Sequence, residues 1–276
     1  MTIATLAQVL ALAVARRRAV AGLVVLGWED ARAYVEAAEA VGAPLILQAG
    51  PGCRRHTPTP ILGAMFRRLA EGALVPVACH IDHATTVEEC REGIESGFTS
   101  VMIDGSALAL RDNMALTRDV VELAHRHGVS VEGEVGVVGY SDGAPSAATD
   151  PEEAAQFERA TGVDALAVSV GNVHLSRDPS AHIDDRAIAA IAAATRVPLV
   201  IHGGSGVPAS ERRRLSADRR VAKFNIGTEL RQAFGHALRA QLAANPAMFD
   251  RNEILRGVEP DLRRVAAEII ENLWRL

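Results

Sequence analysis

The chain has 276 residues, 49% of them hydrophobic, and its 29 basic and 34 acidic side chains leave a net charge of −5. That length suits one α/β barrel, and the lack of any long single-sign run argues against nucleic acid or an anionic membrane surface as a partner. Three cysteines, Cys53, Cys79 and Cys90, show no paired or metal-type spacing and fit a reducing compartment.

The apolar stretch 3–15 precedes Arg16, Arg17 and Arg18, the reverse of a secretory signal. No run reaches the roughly 18–20 apolar residues of a membrane span. A cytoplasmic protein is expected. A first helix over 5–16 would plug the bottom of a barrel. Short apolar runs at 19–26, 44–48, 75–81, 100–103, 129–132, 165–170, 198–201 and 222–226 then read as buried parallel strands. Amphipathic stretches at 29–40, 60–71, 87–96, 113–127, 151–160, 184–195, 209–215 and 228–244 alternate with them. Residues 260–274 would form a last helix, outside the barrel or against a partner subunit.

Eight strand–helix units in this order predict a single-domain (β/α)8 TIM barrel over 1–276, with an added helix at each end. The longest irregular segment, 136–150, follows the fifth strand and would overhang the catalytic face as a lid.

The chemistry gathers at strand ends. The run 75–83 closes on Asp82 and His83, while His174 and His202 follow the apolar runs 165–173 and 198–201. The C-terminal ends of barrel strands are where such folds hold their active sites. Three neutral imidazoles suit zinc and leave a fourth position open, and an adjacent carboxylate can serve as acid or base. His80 sits three residues before His83, where strand geometry does not aim both at one point. It reads as structural, as do His125 and His127. Gly203-Gly204-Ser205-Gly206 after strand seven and Asn225-Ile226-Gly227-Thr228 after strand eight stand where barrels grip phosphate through backbone N–H groups.

Several of these motifs, in order, resemble the class II, metal-dependent ketose-bisphosphate aldolases. They are His80-Ile-Asp-His-Ala84, Gly97-Phe-Thr-Ser-Val-Met-Ile-Asp-Gly-Ser106, Val131-Glu-Gly-Glu-Val-Gly136, Thr161-Gly-Val-Asp-Ala-Leu-Ala-Val168, His202-Gly-Gly-Ser-Gly206 and Lys223-Phe-Asn-Ile-Gly-Thr-Glu229. The resemblance runs from about Thr5 to the final helix. It implies Zn²⁺ held by His83, His174 and His202, with Asp82 as the acid/base at the C4 hydroxyl. Asp104 and Glu134 would orient the ligands or hold a displaced metal. Gly203, Gly204, Ser205, Asn225, Gly227 and Thr228 would bind phosphate, with a monovalent cation (Na⁺ or K⁺) nearby. The implied reaction is reversible cleavage of a phosphorylated ketose, or condensation of dihydroxyacetone phosphate with an aldehyde, in a homodimer or homotetramer. Lys223 is the only lysine, which speaks against a Schiff-base aldolase.

The sequence departs from the family where substrate would lie. A first strand of the form Ala-Phe-Asn-Val-x-Asn is here Gly22-Leu23-Val24-Val25-Leu26, without either amide. Gln-x-Ser becomes Gln48-Ala49-Gly50, and His-Gly-x-Tyr becomes His174-Leu175-Ser176-Arg177. The lid glutamate is missing from Gly139-Tyr140-Ser141-Asp142, leaving Asp142 as its stand-in. These losses point to a substrate other than fructose-bisphosphate. They also favour a rival reading, a sugar-phosphate-binding barrel acting as a non-catalytic subunit or sensor, which Asp82 and the three histidines oppose.

Overall fold

The structure, a computed structural model, describes residues 2–141, 143, 145–217 and 221–275. Eight parallel strands close on themselves: β2 (Val20–Val24), β3 (Leu45–Ala49), β4 (Val77–Ala84), β5 (Ser100–Ile103), β6 (Ser130–Val135), β7 (Ala165–Val168), β8 (Leu199–Ile201) and β9 (Val221–Ile226). Pairing of β9 with β2 seals the ring. A two-residue strand, β1 (Ile3–Ala4), adds to the lower half of β4 with Ile3 opposite Val77, an element the sequence pattern does not announce. The fold is the expected TIM barrel.

Helix α1 (Leu6–Arg16) begins at a reciprocal cap: Thr5 Oγ1 accepts the Gln8 N–H, and Gln8 Oε1 accepts the Thr5 N–H. Its Leu6, Val9, Leu10 and Ala13, at helical spacing, are buried. The Ala7 N–H donates to Ser130 Oγ at the first residue of β6, which places the helix under the barrel as expected. Burial of each of Leu6, Val9 and Leu10 is worth about 1.5–3 kcal/mol.

Two helices differ from the pattern read in the sequence. Helix α3 (Pro51–His56) fills what reads as a loop, starting on a proline whose fixed φ suits a first turn. The last helix, α11 (Arg251–Trp274), starts nine residues before Pro260 and passes through it. Asp250 caps it by accepting the N–H groups of Asn252 and Glu253. Proline inside a helix costs about 3 kcal/mol. Val258 and Leu262, flanking it, are fully buried and offset that.

Helix α11 packs on α2 (Trp28–Val41) and α10 (Thr228–Ala244), outside the barrel. Among the described residues no helix is long and apolar enough to cross a membrane.

Candidate active site and metal centre

A break in strand alternation at the top of β4 aims adjacent residues into one cavity. Ile81 pairs with Val101 and Ala84 with Ile103, so three steps on β4 match two on β5. The extra residue is a bulge, and His83 sits in it at φ 50, a left-handed conformation unusual for a side-chain-bearing residue. Alternation would send Asp82 and His83 to opposite faces; with the bulge, both line the same cavity of about 510 Å³.

Arg54, on α3, holds this backbone in place. Its guanidinium donates to the carbonyls of Ala49 and Asp82, at 2.6 Å each, and of His83 at 3.2 Å.

The three predicted histidines converge. The His83 ring lies 4.7 Å from that of His202 and 5.1 Å from that of His174, with 5.6 Å between the last two. One ligand atom from each falls within 4.8 Å of the others. His174 arrives by a different route from the one its apolar run suggests. Strand β7 stops at Val168, because the Ser169 N–H turns to Thr149 Oγ1 and the Val170 N–H to Asn172 Oδ1. His174 is therefore on a loop, bonded through its backbone to the segment above it: its N–H donates to Gly139, and its carbonyl accepts from Ser141.

Each partner fixes which ring nitrogen remains available. His83 Nδ1–H donates to Asp104 Oδ2 at 2.8 Å, and Asp104 Oδ1 accepts from the Ser106 N–H and hydroxyl. His202 Nε2–H donates to Glu132 Oε1 at 2.9 Å, leaving Nδ1 without a partner 3.4 Å from Glu134 Oε2, which is also unbonded. Two buried polar atoms left open toward the same point as three imidazoles are what a divalent ion would satisfy. The donor set fits zinc. A second possible set, His83 with Asp104 and Glu134, shares His83, so Asp104 and Glu134 sit at the same centre.

The electrostatics follow from burial and proximity. Burial opposes a charge on His83, but Asp82, the bond to Asp104, and Glu134 outweigh it and raise its pKa to about 9. Burial, with the neighbouring His202 and His83, lowers that of His174 to about 3. Burial lifts Glu134 to about 7 against the pull of His202. Asp82 is 5% exposed, and burial opposes its charge. His83, His202 and Lys223 hold it below the usual carboxylate range instead. Asn225 Nδ2 donates to Asp82 Oδ1 at 3.1 Å.

Beneath the centre, Lys223 Nζ donates to Glu132 Oε2 at 2.6 Å and lies 3.4 Å from His80 Nε2, whose Nδ1 meets Ser100 Oγ at 2.8 Å. His80 thus belongs to a buried network away from the metal point, as expected. The lone lysine is paired inside the barrel, and Glu132 is a residue that sequence reasoning missed. The signal was present: Glu132 and Glu134 are two apart in one strand and share its inner face.

The two loops expected to bind phosphate lie side by side. Ser205 Oγ accepts the N–H groups of Gly227 and Glu229, tying the turn after β8 to the start of α10. Gly203, at φ 62, faces the Val173 carbonyl so closely that an added Cβ would fall 2.2 Å from it. Gly203, Ser205, Asn225, Gly227 and Thr228 line the cavity. Gly204 does not; it packs on the Asn225 carbonyl, 2.9 Å from where its Cβ would be.

Other residues with no role read from the sequence also line the cavity. Arg55 and Arg231 supply positive charge, and Tyr140 stacks on His174 with centroids 4.9 Å apart. Asp142 lies outside the described residues.

The family model for class II fructose-bisphosphate aldolase matches residues 4–275. The chain belongs to that family. It is a class II aldolase, a carbon–carbon lyase, and the family is zinc-dependent in general. A protein of Bacillus subtilis (strain 168) named "Probable fructose-bisphosphate aldolase" is 38% identical over 234 residues, 82% of each chain. The 6-phospho-5-dehydro-2-deoxy-D-gluconate aldolase of Shouchella clausii (strain KSM-K16) is 37% identical over 238 residues, 83% of this chain and 80% of that one. The crystal structure of the YdjI aldolase from Escherichia coli K12 superposes with a TM-score of 0.86 at 29% identity, covering 99% of this aldolase and 97% of that chain.

Proposed function

We propose that this aldolase binds Zn²⁺ through His83, His174 and His202 and cleaves a phosphorylated ketose between C3 and C4, or joins dihydroxyacetone phosphate to an aldehyde in reverse. The observation that carries the reading is the meeting of three imidazoles, with His202 Nδ1 and Glu134 Oε2 open toward it, beside the ionised Asp82. When bound, the ion supplies Lewis acidity for the C2 carbonyl.

Asp82 takes the C4 hydroxyl proton. The O–H electron pair becomes the new C4 carbonyl bond, the C3–C4 bond breaks, and its pair moves onto the ketone half. Asn225 holds one Asp82 oxygen, so the other is free for that proton. Gly203, Ser205, Gly227 and Thr228 supply the phosphate cradle, with Arg231 as its cation. A second acid/base group must protonate C3 of the ketone half, taking the same proton back in condensation, and the carboxyl of Asp142 is the group proposed for it.

The relatives' names suggest fructose-bisphosphate and 6-phospho-5-dehydro-2-deoxy-D-gluconate as first candidates for assay. Release of an aldehyde from a panel of ketose phosphates, abolished by a chelator and restored by Zn²⁺, is the expected result. Turnover insensitive to metal removal would overturn the reading.

A further inference from the structure

A second chamber, of about 440 Å³, adjoins the metal-centred cavity and is large enough for a small molecule. Its walls include Leu26, Trp28, Leu62, Leu230 and Phe234, so they are mostly carbon. Val24 and Arg231 line both spaces, so the two share a wall. Val24 Cγ2 lies 3.0 Å from where a Cβ on Gly227 would be, and Arg231 Nη1 lies 3.5 Å from that point. That wall therefore stands beside the phosphate cradle.

Tyr34, Glu29 and Arg231 also line the chamber, and several of its other polar groups are engaged or peripheral. Asp30 Oδ2 accepts the N–H groups of Leu26 and Gly27 at 2.9 Å each, and His56 and Arg251 are exposed. Leu26 and Trp28 remain 40% and 43% exposed, apolar surface that nothing among the described residues covers.

The path from the reacting atoms is traceable. Asp82 acts on the hydroxyl of the aldehyde-derived half, so that half lies on its side of the site. A Cβ on Gly50, at the end of β3, would lie 3.6 Å from Asp82 Oδ2. One strand further, Val24 pairs with Gln48. A chain leaving Asp82 over Gly50 meets Val24 and then the chamber.

We propose that this chamber receives the aldehyde half of the substrate, and that this half carries an apolar, unphosphorylated body. The proposal rests on the aldolase reading above. A polyol entering here would exchange water for carbon, and each hydroxyl left unpaired costs roughly five- to 150-fold in binding. Each buried methylene gains about fourfold. C3 of dihydroxyacetone phosphate gives its proton to the second acid/base group, its electron pair forms the C–C bond to the aldehyde carbon, and the carbonyl π pair moves onto oxygen and takes the proton from Asp82.

The experiment compares kcat/KM for condensation of dihydroxyacetone phosphate with pentanal, phenylacetaldehyde, glycolaldehyde and glyceraldehyde 3-phosphate on the zinc-loaded enzyme. Deuterium exchange at C3 of dihydroxyacetone phosphate in D₂O, followed by NMR, reports the lyase half-reaction alone. We expect at least a tenfold preference for the two apolar aldehydes over glyceraldehyde 3-phosphate. Met65→Trp, which fills the chamber, should lower the pentanal-to-glycolaldehyde ratio at least tenfold, and Phe234→Ala should extend acceptance to longer aldehydes. Exchange without an apolar preference overturns this proposal and leaves the aldolase reading standing. No exchange overturns both. A Met65→Trp variant that slows all aldehydes equally also overturns it, by showing that the chamber is not where they differ.

Discussion

Glu132 Oε1 accepts the Nε2–H of His202 at 2.9 Å, and neither side chain reaches solvent. The bond sets the tautomer of His202, so that Nδ1 is the nitrogen presented to the centre. A buried carboxylate needs compensation, and Lys223 supplies it from the other oxygen at 2.6 Å. With Lys223, His80 and His202 around it, Glu132 is held well below the usual carboxylate range despite burial, so it stays a charged acceptor.

Glu132→Gln should therefore weaken zinc binding by about 10–100-fold, the usual effect of losing a partner behind a metal-binding histidine. His83→Ala and His202→Ala should lose the metal while remaining folded. Chelator competition and metal analysis read all three. Full zinc content in the two alanine variants would remove the assignment.

The barrel was legible because its strands are apolar runs of the right length, and the histidines because each follows such a run. What escaped was what depends on backbone departures from regularity. The bulge that turns Asp82 and His83 to one side has no local sequence signature, and neither does the loop that delivers His174 after Val168. Arg54 and Tyr140 are ordinary residues in the sequence; only the folded chain shows one clamping three carbonyls and the other stacked on His174. Pro260 misled as a helix start because burial of its neighbours overrides local propensity.

Zinc affinity should rise with pH between about 7 and 9. In the metal-free protein His83 has a pKa raised to about 9, so at pH 7 it carries a proton that coordination must displace, whereas His174, lowered to about 3, is already neutral. The expected slope is about tenfold per pH unit, flattening above about 9. The same shift gives the metal-free fold a stabilising contribution, complete below the unfolded-state pKa of about 6.5 and lost as pH rises through about 9. Calorimetric titrations in buffers of different ionisation enthalpy count the released proton. An affinity flat from pH 7 to 9 would contradict a protonated His83 in the metal-free site.

Asp82→Asn should keep the metal and cut cleavage by at least about 100-fold, the lower end for a positioned acid or base. The amide preserves shape but cannot take the C4 hydroxyl proton. Metal content and kcat on the same preparation separate the two effects. Undiminished turnover would make Asp82 a structural acid.

Leu175 keeps a left-handed φ of 57 where family members carry glycine, and its side chain is 46% exposed. That conformation costs a side-chain-bearing residue about 1–2 kcal/mol, partly offset by the extra unfolded-state entropy of glycine, about 0.5–1 kcal/mol. Leu175→Gly should thus raise stability by roughly 0.5–1 kcal/mol, visible as a higher thermal midpoint. A lower midpoint would show that the Leu175 side chain packs more firmly than its exposure indicates.

Fructose-bisphosphate should be a poor substrate. Val24 stands in the cavity wall where the family has an amide, and Gly50 where it has a serine, so sugar hydroxyls there find no partner. Each unpaired group costs roughly 1–3 kcal/mol, and two could lower kcat/KM by orders of magnitude. The proposed phosphate cradle of Gly203, Ser205, Gly227 and Thr228 lines the same cavity, so fructose-bisphosphate should bind and inhibit without being cleaved at a useful rate. Steady-state kinetics decide the matter. A kcat/KM of about 10⁴ M⁻¹s⁻¹ or more on this substrate, within the ordinary enzyme range, would show that other residues compensate for both losses.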